Sequence, residues 1–188
     1  MSERMGEYSL TRVSSWLDWL RIRRLYSRAF PAKERKPFAV IRRMCRAGRT
    51  DVWVLRRAGR FTGFAATINA ERLILIDYLA VAEEMRGRGA GSAALAALSG
   101  EYAGRGLFVE IESAFEPGDD QAERLRRRSF YERCGFSSCR TMASVFGVPM
   151  ELMGRGCSVD FPTYRSFYRE HYSAWAAQHI LPLPWPEA

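Results

Sequence analysis

The chain has 188 residues, 47% of them hydrophobic and 27% charged, which is enough for one domain with a full hydrophobic core. No apolar run reaches the length of a membrane span, and Met1-Ser2-Glu3-Arg4 has no signal-peptide core behind it, so no membrane partner and a cytoplasmic location are expected. The formal charge of +8 raises nucleic acid, but the basic residues are scattered, and the densest cluster (Arg124, Arg126, Arg127 and Arg128) goes round a helix instead of forming a stripe.

Tyr8 to Val13 reads as a short first strand. Ser15-x-x-Asp18 approximates a capping box, and Trp16, Leu17, Leu20, Leu25 and Ala29 follow at mostly helical spacing to about Phe30. Pro31 to Pro37 is a charged elbow, and a second helix is expected over Phe38 to Arg46. From Asp51 the apolar period becomes two, Ala58-Gly59 turns, and Phe61 to Ile68 returns as a strand. Leu73 to Val81 is an almost unbroken apolar run, the signature of a central strand covered on both faces. A helix over Gly89 to Tyr102, a strand over Leu107 to Glu112 and a loop over Ser113 to Asp119 come next. Asp120 is placed to cap a helix, with Glu123 three residues on, and Gly135 is placed to end it. Strands near Ser138 to Phe146 and Met150 to Met153 precede a last helix from about Pro162, where Phe161, Tyr164, Tyr168, Tyr172 and Trp175 recur at three- or four-residue steps and read as a core-facing seam. Leu181 to Pro186 reads as a stiff extended tail. Cys45, Cys134, Cys139 and Cys157 show no metal-ligand spacing and are read as reduced thiols, with no metal expected.

Strand, glycine cluster and helix from Leu73 to Leu98 would aim unpaired backbone N–H groups and a helix N-terminus at an anion, with Arg86 and Arg88 adding positive charge. A Walker loop would need Lys-Ser/Thr after its last glycine, and Gly91 is followed by Ser92-Ala93. A dinucleotide fingerprint would need G-x-G-x-x-G, and Gly87, Gly89 and Gly91 give G-x-G-x-G.

What the loop does match is Arg86-x-x-Gly89-x-Gly91, five residues after a strand ending Leu79-Ala80-Val81. This resembles the acetyl-CoA pyrophosphate loop of the GNAT superfamily of N-acetyltransferases. About forty residues on, Phe130-Tyr131-Glu132-Arg133-Cys134-Gly135-Phe136 resembles the aromatic-Tyr-x-x-x-Gly-Phe helix ending of the same family. The element order β-α-α-β-β-β-α-β-α-β-β over about residues 8 to 154 is also the family's. The resemblance implies an α/β (α+β) fold with a mixed, largely antiparallel sheet of six to seven strands flanked by helices. It implies one domain over residues 1–188, with a core at 8–154 and a helical extension at 155–188.

Acetyl transfer to an amine needs a base, because a free alkylamine has a pKa near ~10. It also needs donors for the thioester oxygen and an acid for the thiolate. By resemblance, backbone N–H groups near Leu79, Ala80 and Val81, at a strand bulge, would hold the thioester carbonyl and pantetheine. Those of Gly87, Arg88, Gly89, Ala90, Gly91 and Ser92 would hold the pyrophosphate beside Arg86, and Tyr131 would protonate the thiolate. A core tyrosine is the plainer reading of Tyr131. Three carboxylates compete for the base: Glu110, at the position where certain family members that acetylate protein N-termini place their glutamate; Asp77, alone in an apolar strand or paired there with an arginine; and Glu112. Many family members carry an asparagine seven residues before the tyrosine, where this chain has Arg124. The Phe115 to Asp120 loop and the Pro31 to Pro37 elbow are candidates to cover the acceptor. The acceptor expected is a cationic primary amine drawn to Asp77, Glu110, Glu112 and Glu34, with small molecules slightly favoured over peptides. A non-catalytic CoA-binding regulatory module and a basic nucleic-acid-binding protein are the alternatives, and a homodimer stays open.

Overall fold

The computed structural model of the protein describes residues 8–32 and 35–186. Glu34 and the Met1 to Arg4 segment lie outside the described residues. Hydrogen-bonded strands run in the order β1 (Tyr8–Arg12), β2 (Thr50–Arg57), β3 (Arg60–Asn69), β4 (Leu73–Val81), β5 (Gly106–Glu112), β7 (Val148–Arg155), β6 (Ser137–Val145) and β8 (Ile180–Leu183), and the backbone divides into two compact units. The long apolar strand β4 (Leu73–Val81) is shared, residues 73–75 belonging to the second unit and 76–81 to the first.

In the first unit, β1 (Tyr8–Arg12) pairs antiparallel with β2 (Thr50–Arg57), and β2 with β3 (Arg60–Asn69). Ala58 and Gly59 connect the last two at φ 46° and 75°, the left-handed pair whose twist suits a tight hairpin. Val52, Trp53, Val54 and Leu55 are all buried, so β2 is covered on both faces. One cluster joins Ile22 and Tyr26 of α1 (Trp16–Ala29) and Ile41 of α2 (Phe38–Arg46) to Val52, Val54, Phe64, Tyr78 and Ala80. A second joins Ala90 and Ala94 of α3 (Ala90–Glu101) to Leu55, with Leu79, Val81 and Met85 packed against it.

The inward face of α1 is not its most apolar one. Trp16, Leu17 and Leu20 are exposed (70%, 45% and 42%), while Asp18, Ile22 and Tyr26 are buried. Polar anchors decide the orientation: Asp18 accepts from Arg56 Nη2 at 2.7 Å, and the Tyr26 hydroxyl donates to the Lys36 carbonyl at 3.0 Å. Only half of the predicted capping box forms. Ser15 Oγ accepts from the Asp18 N–H at 3.1 Å, and the Asp18 carboxylate is engaged by Arg56.

In the second unit, β5 (Gly106–Glu112) runs parallel to Leu73–Leu75 and antiparallel to β7 (Val148–Arg155), which pairs with β6 (Ser137–Val145). α4 (Gln121–Arg133) starts at Asp120, whose side chain does not cap it; the carboxylate binds Arg124 Nη2 at 2.9 Å instead. Gly135, at φ 84°, ends it in the left-handed conformation expected there.

The sequence beyond 155 departs most from expectation. The helix breaks at Tyr172–Ser173 into α5 (Phe161–His171) and α6 (Ala174–Gln178). Tyr164 and Tyr168 are buried as a seam requires, but Trp175 lies beyond the break and is 61% exposed, meeting Phe146 and His179 with tilted rings. The tail then pairs as β8 (Ile180–Leu183) against β6, from Val145↔Ile180 to Met142↔Leu183. Among the described residues the sheet therefore has eight strands, not six to seven. β8 is an edge strand, the one place in a sheet where Pro182 can sit without a donor to offer.

Candidate active site

In the first unit, β4 ends at Val81, a 3-10 turn covers Glu83–Met85, and α3 starts at Ala90. Between them Arg86, Gly87, Arg88 and Gly89 are exposed, with Gly87 at φ 71° and Gly89 at φ 81°. A Cβ on either glycine would meet nothing within 4 Å, so the backbone angle alone demands glycine and the space above is open. Gly89 is the N-cap of α3 and offers no side chain to its first turn; the Ala93 N–H is the first to find a carbonyl one turn back, that of Gly89 at 2.9 Å. The Tyr8 hydroxyl fastens the loop by donating to the Arg88 carbonyl at 3.1 Å. The result is a fixed, positively charged turn whose geometry is suited to a phosphate.

Leu79 and Val81 point into the cluster beneath this loop, so the strand and the start of α3 are held together by packing. Ala80 faces the other way, among the α1 and α2 residues. A residue that sequence reasoning passed over, Gly63 of β3, explains how closely the strands approach: a Cβ there would lie 2.5 Å from the Ala80 carbonyl oxygen. A glycine inside a strand pattern was the available signal.

Asp77 is not alone in its strand. Lys36 Nζ, from the elbow before α2, contacts both carboxylate oxygens at 2.7 and 2.8 Å, so the partner is a lysine and not an arginine. The Lys36 N–H donates to the Tyr78 hydroxyl at 3.3 Å, and its ammonium lies 5.4 Å from the Tyr78 ring centroid. Burial, aided by the Asp77 charge, pushes the Tyr78 phenol well up, and burial likewise raises Tyr26. Lys36 is thus gripped at its amide, its carbonyl and its ammonium.

In the second unit, Tyr131 lies in the last turn of α4, edge-on to Phe130 and Phe136 at 5.1 and 5.5 Å. Its side chain as a whole is half-buried. The burial around its hydroxyl takes the phenol up to about 12, against the pull of the Arg127 guanidinium. It therefore keeps its proton at neutral pH, as an acid must. Glu110 is half-buried on β5 and accepts from the Tyr168 hydroxyl at 2.9 Å. Glu112 shares its strand face by alternation and stands opposite Met150. Tyr168, placed in the seam by its spacing, has a polar role that spacing could not reveal. Arg124 is buried and donates to the Ser113 carbonyl at 2.8 Å while pairing with Asp120, so it ties down both ends of the 113–120 loop. Arg128 reaches the fully buried Glu151 at 2.9 Å, and Arg127 pairs with Glu123, so much of the basic cluster on α4 is neutralised locally.

Three comparisons bear on this arrangement. A family model described as an acetyltransferase (GNAT) domain matches residues 48–138. Curated proteins give no sequence match. Solved structures match over most of their length: a Bacteroides thetaiotaomicron protein assigned to the GNAT family (TM-score 0.70, 19% identity, 90% of this chain and 98% of that one), the ribosomal-protein alanine N-acetyltransferase of Escherichia coli (0.62, 16%, 81% and 95%) and an aminoglycoside 6'-N-acetyltransferase complexed with coenzyme A (0.63, 13%, 78% and 96%). At these identities the likeness is one of fold.

Proposed function

We propose that the chain is an acyltransferase of the GNAT superfamily that moves an acetyl group from acetyl-CoA to a primary amine by direct attack in a ternary complex, a reading supported by the family-model match over residues 48–138 and by the shared fold. The observation that carries this reading is the open glycine turn at 86–92 leading into α3, which offers a diphosphate a helix N-terminus, exposed N–H groups and two arginines. In this reading the backbone at Leu79, Ala80 and Val81 holds the pantetheine and thioester carbonyl. Residues Arg86, Gly87, Arg88, Gly89, Ala90, Gly91 and Ser92 hold the pyrophosphate.

Glu110 takes the proton of the attacking ammonium, directly or through a water; the nitrogen bonds to the thioester carbon as the C–S bond breaks, and Tyr131 protonates the departing thiolate. With its phenol raised to about 12, Tyr131 is protonated at neutral pH and carries the proton that the last step uses. The pairing of both Asp77 oxygens with Lys36 favours Glu110 over Asp77 as base, and Glu112 is the alternate two residues along the same face. We assign Asp77 to holding the elbow through Lys36. We propose a single catalytic domain with the extension from 155 as part of it, active in the cytoplasm on a small cationic amine. The test is a thiol-release assay with acetyl-CoA against polyamines, aminoglycosides, amino acids and peptides starting with alanine. Release that depends on one of these amines, and is lost in Glu110→Gln, is the expected result. CoA binding with no amine-dependent release across the panel would favour the non-catalytic module.

A further inference from the structure

Beyond these assignments, we propose that Tyr168 is a positioning residue for Glu110, so that the helix after residue 160 completes the catalytic apparatus. The inference rests on Glu110 being the base.

The geometry starts from two matching repeats. On β5, Phe108 and Glu110 lie on one face, about 6.6 Å apart along the strand. On α5, Tyr164 and Tyr168 are one turn apart, about 6 Å along the helix axis. Tyr164 meets Phe108 edge-on at 6.5 Å, and Tyr168 meets Glu110 at 2.9 Å. The helix therefore runs along the strand face, with one contact apolar and the next a hydrogen bond. Both tyrosines are almost fully buried, and Tyr168 is fixed further by stacking on Tyr172 at 4.5 Å and by Tyr164 at 5.1 Å. The helix is itself anchored, by Asp160 accepting from the Thr163 N–H and by Thr141 donating to the Val159 carbonyl at 2.8 Å.

A half-buried glutamate has three rotatable bonds, and a base that samples many rotamers spends little time in line with its proton donor. A phenol held rigidly on Oε2 removes that freedom. It also favours the ionised carboxylate, the form able to accept a proton. Glu112 shares the strand face of Glu110. Across the ladder β7 brings Leu152 and Met150, with Glu151 on the opposite face held by Arg128. β4 pairs through Leu73, Ile74 and Leu75, and α5 adds Tyr164 and His171.

The test is a carboxylate NMR titration of the full chain, without any acceptor, the Glu110 resonance being assigned by its loss in Glu110→Gln. Tyr168→Phe keeps the ring and its stacking and removes only the hydroxyl. The Glu110 titration should then move upward by about half to one pH unit, a three- to tenfold gain in proton affinity. On an amine that is turned over, kcat should drop about tenfold while the KM for acetyl-CoA stays put. A ring-carbon label on the tyrosines of the wild-type chain gives a second reading: the Tyr168 signal should shift with the Glu110 titration and stop doing so in Glu110→Gln. A Glu110 titration unmoved in Tyr168→Phe, or a Tyr168 signal blind to it, overturns the proposal. Full turnover in Glu110→Gln instead removes the premise that Glu110 is the base.

Discussion

Tyr131 and Lys36 were opposite cases for sequence reasoning. The tyrosine could be singled out because its helix ending and its distance from the glycine turn are local patterns. Replacing it with phenylalanine should lower kcat about a hundredfold with little change in acetyl-CoA affinity, as measured by steady-state rates beside calorimetry. With its phenol raised to about 12 when folded and near ~10 when unfolded, it stays protonated throughout the neutral range. Its ionisation gives no pH dependence below about 10, and it costs the fold stability only as pH rises from there toward 12. Lys36 could not be found, since one lysine among the charged residues of an elbow carries no periodic signal and its partner lies 41 residues away. Lys36→Met removes the ammonium that holds both oxygens of a carboxylate only 11% exposed and should cost about 1–3 kcal/mol, less than the ~3–5 of a fully buried pair because the lysine keeps some solvent. Urea unfolding should show most of that loss restored in Lys36→Met/Asp77→Asn.

Elements with one strong period were readable in outline. The glycine turn needs positive φ at Gly87 and Gly89, and glycines spaced there could mean little else. The strand Leu73–Val81 announced itself by an almost unbroken apolar run. What failed were faces and edges. The inner face of α1 is chosen by Asp18 and Tyr26 through partners distant in sequence, and the strand Ile180–Leu183 forms only because β6 offers it a ladder. Prolines in that segment pointed to extended chain, and extended chain is compatible with both a tail and an edge strand. At this scale Gly63 makes a sharp prediction. Gly63→Val pushes a side chain onto the Ala80 carbonyl, so β3 and β4 must part where the pantetheine is proposed to lie. Acetyl-CoA affinity should drop at least tenfold by calorimetry, whereas the same change at Gly100, where a Cβ meets nothing and φ is not positive, should leave it within twofold.

Across the whole molecule, the charge of +8 says less about partners than it first suggests. Arg12, Arg56, Arg124 and Arg128 each face a carboxylate, and their charge is spent on the fold. Arg86 and Arg88 are different, exposed on the turn proposed for the diphosphate. Acetyl-CoA binding should therefore weaken about three- to tenfold between 0.05 M and 0.5 M salt in the wild type, and much less in Arg86→Gln/Arg88→Gln; numbers of this order follow from screening over a few ångströms. Everything proposed for acetyl-CoA depends on that turn. Calorimetric titration of the full chain with acetyl-CoA, beside a Gly89→Val variant, tests it most directly. One molecule bound per chain in the wild type, with no heat in the variant at the same concentrations, is the predicted result; equal binding by both, or none by the wild type, would contradict it.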